Sequence, residues 1–213
     1  MASKQSPKRP TWAAYDVETL RLSHEVAGGW ENPFDFGFSV GCITDHNGRK
    51  YAYNSHFMPD ARERLVQQLR TYDRIVSFNG IRFDNKVVAA DEPAFLAEID
   101  ERSWDVKVLL EQACGIDDKE GPHIISLNSA AFATLGSHKM EGFTDGREAV
   151  RAWRRGEYKR VEEYNQKDAD LTAEVYSFGL RNGYALFAPS RFPLLFNGKA
   201  DLVVKATALW KPR

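Results

Sequence analysis

Four carboxylates stand at positions where local structure does not favour them. The stretch TWAAYDVETL (11–20) reads as a strand, yet it carries Asp16 and Glu18. A pleated strand sends alternate side chains to opposite faces, so the two acids share a face with Cα atoms about 7 Å apart. Like charges that close repel, and Asp is depleted from strands. Asp84, in SFNGIRFDNKVV, follows a strand, an Asn-Gly turn and two more residues. Ligands of open α/β sheets gather at such strand ends, although capping the next helix is the other reading for an Asp there. Asp168 lies in VEEYNQKDADLTAEVYSFG, where Val161, Tyr164, Leu171, Val175 and Phe178 form an otherwise apolar helical stripe. A buried carboxylate without a partner costs several kcal/mol and requires a cation, a donor or a proton.

Local spacing places no Arg or Lys beside these acids. Hard divalent ions choose oxygen ligands, and Mg²⁺ takes a few carboxylates while keeping waters. Two such ions about 4 Å apart hold the attacking and leaving oxygens of a phosphodiester. The chemistry implied by four gathered acids is therefore metal-assisted phosphoryl hydrolysis.

Residues 11–20 form the first strand expected to position them. The loop SHEVAGGWENPFD is irregular, and its Gly28-Gly29 pair is expected to line a groove near the acids. FGFSVGCITD and KYAYNSHF read as strands joined at Asn47-Gly48, a hairpin signal, so the first three strands form an antiparallel meander. PDARERLVQQLRTY predicts a helix, with Leu65, Leu69 and Tyr72 on one stripe. DRIVSFNG predicts a fourth strand and FDNKVVAAD the start of a helix. SWDVKVLLEQACG predicts a short strand running into a helix that stops at Gly, with Asp105 as N-cap. From about 126 to 183 the chain reads as helical, and the tail ends in a hairpin strand. The expectation is an α/β mixed sheet, three antiparallel strands first, flanked by helices.

The chain of 213 residues suits one domain over 11–213, preceded by a flexible basic tail at 1–10. No apolar run is long enough for a membrane span, and the N-terminus lacks the apolar core of a signal peptide. Two distant cysteines without CxxC spacing exclude a thiolate metal site and imply a reducing compartment, hence a cytoplasmic protein. None of the five histidines shows zinc-type pairing. With a net charge of −1, binding of a polyanion must rely on a local patch or on bound cations. RAWRRGEYKR offers such a patch: Arg154, Arg155 and Lys159 either contact backbone phosphates or form a solvated helix face. Asn79 and Phe83 are candidates for the substrate groove, because aromatic faces stack on unpaired bases, with core packing the simpler reading for Phe83. Trp30, Trp153 and Trp210 could stack bases, but buried packing is the commoner role and the one expected.

YDVETL, NGIRFD and YNQKD, in that order, resemble the three motifs of the DEDD superfamily of 3′–5′ exonucleases, which have an RNase H-like fold. Tyr164, four residues before Asp168, indicates the tyrosine-type branch; His138 lacks the spacing of the histidine type. The segment from TLGSHKMEGF to DADLT is similar to bacterial RNase H-like domains related to family-B polymerase proofreading domains. The resemblance implies two Mg²⁺ or Mn²⁺ ions, with Asp16 bridging both, Glu18 and Asp168 on the ion that activates water, and Asp84 on the second. It implies that Tyr164 orients the attacking water, and that the substrate is single-stranded nucleic acid, DNA before RNA, taken from its 3′ end. A structure-specific endonuclease or resolvase, and a binding module without turnover, are the competing readings.

Overall fold

A computed structural model describes residues 10–115, 125–143 and 145–187, and the backbone of 204–206. The basic tail expected at 1–10 lies outside the described residues except for Pro10, and so does Trp210. The expected meander is present: β1 (Trp12–Thr19), β2 (Phe38–Asp45) and β3 (Lys50–Asn54) are antiparallel neighbours. The β2–β3 turn has Gly48 at φ 77°, and the Asp45 carboxylate accepts from the Asn47 and Arg49 amides at 2.8 and 2.9 Å. After α1 (Ala61–Leu69), strands β4 (Arg74–Ser77) and β5 (Ser103–Asp105) join β1 in parallel, giving the order β3-β2-β1-β4-β5.

Between β4 and β5 lie α2 (Asp84–Ala89) and α3 (Pro93–Glu101). The second of these was not foreseen, although Pro93 stands at the helix start, where proline is favoured. Helix α4 (Val106–Cys114) ends at Gly115 with φ 65°, the expected glycine stop. The helical remainder resolves into α5 (Leu127–Leu135), α6 (Gly146–Arg154) and α7 (Tyr158–Asn182). The tail pairs β6 (Ala185–Phe187) with β7 (Val204–Ala206), antiparallel as expected. No helix among the described residues is long and apolar enough to cross a membrane.

The alternation of β1 divides the molecule. Ala13, Tyr15 and Val17 pack with Leu65 and Leu69 of α1, Val88 of α2 and Ile99 of α3. Ala14 and Val76 face the other way, onto Leu110 of α4, Ala131 of α5 and Leu171 of α7. Val40 and Cys42 of β2 meet Ala149 of α6 and Val161 and Tyr164 of α7 on that same side. Asp16 and Glu18 share the parity of Ala14 and therefore point towards α7.

Candidate metal centre and nucleic-acid cleft

Two breaks in the sheet open a space around the acids. The β1–β4 ladder runs only from Trp12 to Ala14, because β4 ends at Ser77. Beyond it, the Val17 amide donates to Asp84 Oδ1 at 3.0 Å. On the opposite edge, the β1–β2 register shifts between Glu18 and Thr19. Such irregularities bend a strand and re-aim its side chains. Parallel strands that part at their carboxyl ends leave a crevice, and here it is a cleft of about 740 Å³. Asp16, Glu18, Asp84, Tyr164 and Asp168 all line it.

Three of the acids converge. Single oxygens of Asp16, Glu18 and Asp168 lie within 4.8 Å of one another. Asp84 belongs to the same cleft outside that triplet, and it begins α2 without a side-chain cap bond. Its carboxylate is tied to β1 through the Val17 amide. Asp105, by contrast, caps α4 through the Lys107 and Val108 amides at 3.0 and 3.3 Å. It also accepts from the Asn79 and Ile81 amides at 2.8 and 3.1 Å. That grip holds the β4–α2 loop, where Asn79 has φ 74°, and so fixes the approach to Asp84.

Helix α7 supplies Tyr164 and Asp168 one turn apart on its buried stripe, as its periodicity predicts. Tyr164 stacks on Phe143 with centroids 4.5 Å apart and planes at 13°. The next residue, Asn165, is fully buried and donates to Asp16 Oδ2 at 2.6 Å. A polar residue at a buried helix position was the signal for Asn165. Lys139, between α5 and α6, forms an ion pair with Asp168 Oδ2 and donates to the Tyr164 hydroxyl at 2.9 Å. Local spacing could not reveal it, since it arrives from 29 residues before Asp168 along the chain, a contact set by how α5, α6 and α7 pack.

The electrostatics are lopsided. Burial pushes Asp16 and Glu18 well above the usual carboxylate range; the neighbouring Asp84 charge adds most to the first and Asp168 to the second. Burial lifts Asp84 to about 7, against the pull of the Val17 amide. Asp168 also rises through burial, although the Lys139 charge draws it down. For Lys139, burial opposes the charged form, but the charges and hydrogen bonds of Asp168 and Tyr164 together outweigh it and the ammonium is stabilised. Burial and then the Glu18 charge raise the Tyr164 phenol, which stays protonated at neutral pH.

Lys139 is ion-paired with Asp168, yet Asp168 Oδ1 is buried without a hydrogen-bond partner among the described residues. An all-oxygen donor set with an orphaned buried oxygen suits hard divalent cations. Asp16, Glu18 and Asp168 would hold such an ion.

Asn79 and Phe83 line the cleft as expected, beside Arg82, Lys86 and Lys107. Arg82 makes a two-pronged contact with Glu111 at 2.7 and 3.3 Å, and Lys107 donates to Asn79 Oδ1 at 3.2 Å. Arg154, Arg155 and Lys159 are not among the lining residues. They pair with Glu25, Glu157 and Glu162 respectively. Trp153 packs edge-on against Tyr158 in the α6–α7 region, as a packing aromatic should. Trp30 departs from that expectation: it is 64% exposed and lines the cleft.

No family model matches this sequence, and no curated protein does. Among solved structures, the family B DNA polymerase from the hyperthermophilic archaeon Pyrobaculum calidifontis is similar over 84% of this chain, with a TM-score of 0.56 and 15% identity. The matched region is 26% of that polymerase chain, so this chain spans about a quarter of its length. At that identity the likeness concerns the fold alone: a five-stranded mixed sheet flanked by helices, of the RNase H-like kind.

Proposed function

We propose that the chain is a metal-dependent nuclease that removes nucleotides from the 3′ end of single-stranded nucleic acid, DNA in preference to RNA, using two Mg²⁺ or Mn²⁺ ions. The observation that carries this reading is the convergence of Asp16, Glu18 and Asp168 oxygens within 4.8 Å, with one buried oxygen unsatisfied. The fold shared with part of a DNA polymerase supports nucleic acid as the substrate.

Asp16, Glu18 and Asp168 would hold one ion, and Asp84 with Asp16 would serve the second. Such ions would supply a water acidic enough to ionise near neutral pH and positive charge for the attacking and leaving oxygens. Asn165 fixes the Asp16 carboxylate, and the Val17 amide fixes that of Asp84. Tyr164 orients the attacking water as a neutral phenol; it is too weak an acid in this site to serve as the base. Asn79 and Phe83 contact the strand from the cleft wall. Arg154, Arg155 and Lys159 reach phosphates only by giving up their glutamates, so their share in holding the strand is the smallest.

A digest of end-labelled linear and closed circular single strands, DNA and RNA, tests this reading. With Mg²⁺ or Mn²⁺ the linear DNA shortens stepwise from its 3′ end, the circle survives, and chelator stops the reaction. Asp16→Ala removes the activity and keeps the fold. A cut circle points instead to an endonuclease, and binding without cleavage to a module without turnover.

A further inference from the structure

Trp30 contradicts the packing role ordinarily assigned to a tryptophan. It is 64% exposed, whereas Phe36 beneath it is 2% exposed. An isolated exposed aromatic needs no explanation, but three observations distinguish this one. First, its ring lines the same cleft as Asp16, Glu18 and Asp84. Second, the ring is backed by two neighbouring aromatic rings. Its centroid lies 5.3 Å from that of Phe36 and 5.5 Å from that of Phe83, and Phe36 meets Phe83 edge-on at 5.1 Å. Phe83 immediately precedes Asp84, so the aromatic group is anchored to the acid-bearing wall. Third, the short helical turn Gly29–Glu31 brings Trp30 and Glu31 to the cleft but no cation. The cations there come from other elements: Arg82 and Lys86 near α2, Lys107 from α4, and Lys139 before α6.

A segment that offers a polyanion an aromatic face and a carboxylate cannot hold it by its phosphates. It can hold an unpaired base, since every base has a face to stack and stacking tolerates any sequence. A base inside a duplex already has both faces covered. We therefore propose that Trp30 is a substrate-contacting residue that stacks on an unpaired base of the strand entering the acidic cleft, and that the segment between β1 and β2 selects single-stranded over duplex ends. This rests on the nuclease reading of the same cleft and adds to it the contact that recognises an unpaired end. Gly28, at φ 85°, sets the turn that presents the ring.

The test uses the full chain with a short fluorescent single-stranded DNA in chelator, so that binding is read without turnover. Trp30→Ala weakens binding by roughly 5- to 160-fold, the span of base–aromatic stacking, and Trp30→Phe restores most of it. Abasic sites placed one at a time along the oligonucleotide supply a readout that a structural role would not move. At one position the abasic strand costs wild type the same factor as Trp30→Ala costs the intact strand, and costs the variant nothing further. In turnover, Trp30→Ala raises KM on single strands more than it lowers kcat, and narrows the preference for single-stranded over duplex ends. Binding by Trp30→Ala within about twofold of wild type overturns the proposal, as does an equal loss on every abasic strand. Cleavage that ignores Trp30 sinks this inference and spares the nuclease reading. Trp30-dependent binding without any cleavage supports the inference and sinks that reading.

Discussion

The two faces of β1 are built from the same eight residues and do opposite things. Ala13, Tyr15 and Val17 are buried among the side chains of α1, α2 and α3, where each removes apolar surface from water. On the other face Ala14 packs, but Asp16 and Glu18 are held in a poorly solvated cleft against Asp84 and Asp168. One face contributes stability; the other consumes it, and the protein keeps it nonetheless. A strand whose neighbours cover one side completely can carry an unfavourable charge cluster on the other. The contrast marks the acidic face as the candidate functional one.

The largest effect separating the faces should come from Asp16→Asn. It removes a charge that burial and three acids disfavour, so activity with Mg²⁺ falls by ~10³-fold or more while the melting temperature holds or rises. Single-turnover digestion and thermal unfolding of the same preparation check both halves; a fall in stability would mean that the acid is structural. Tyr15→Ala makes the converse change. Its ring is fully buried and its hydroxyl donates to Asn85 Oδ1, so denaturant titration should show a loss of ~3–5 kcal/mol, with activity declining only as the folded fraction does.

The ion-free protein should also show an inverted pH dependence. A carboxyl whose folded pKa exceeds its unfolded value binds more protons when folded, so stability falls as pH rises between the two. For Asp84 that window runs from the ordinary carboxylate range to about 7. In chelator the melting temperature should drop by several degrees across that window, and Mg²⁺ should cancel the drop, because ion binding takes over from protons. A profile that is flat with and without the ion would show that the acids hold neither protons nor metal.

The smallest effect is expected from neutralising Arg154, Arg155 and Lys159 to Gln together. All three are already paired with glutamates. The slope of log affinity against log salt on single-stranded DNA should change by less than about 0.7, the amount one phosphate contact contributes. A change near three times that value would restore the patch to the substrate path.

Much of this was written in short-range patterns. The alternation of β1, the Asn47-Gly48 turn, the capping role of Asp105 and the apolar stripe around Asp168 each depend on residues within a few positions of one another. Strand and helix periodicity therefore revealed them, and placed Asp16 with Glu18 and Tyr164 with Asp168. The shortfalls fall where chain-distant segments meet. Helix α3 was missed because PAFLAEIDE gives only a short amphipathic signal. Lys139 has no local mark, and Asn165, though polar at a buried helix position, has none that names Asp16 as its partner. Nothing in AGGW distinguishes an exposed Trp30 from a buried one.

From the sequence alone come the four unfavourably placed acids, the faces on which they lie and the inference that oxygen-loving cations belong with them. Only the tertiary structure decided which of the acids share a centre, which ammonium stands among them and which aromatic is left uncovered at the cleft. The reason is that periodicity fixes the direction of a side chain relative to its own backbone. The distance between side chains from different elements depends on where β4 ends, how α7 crosses the sheet and what the intervening segments pack against.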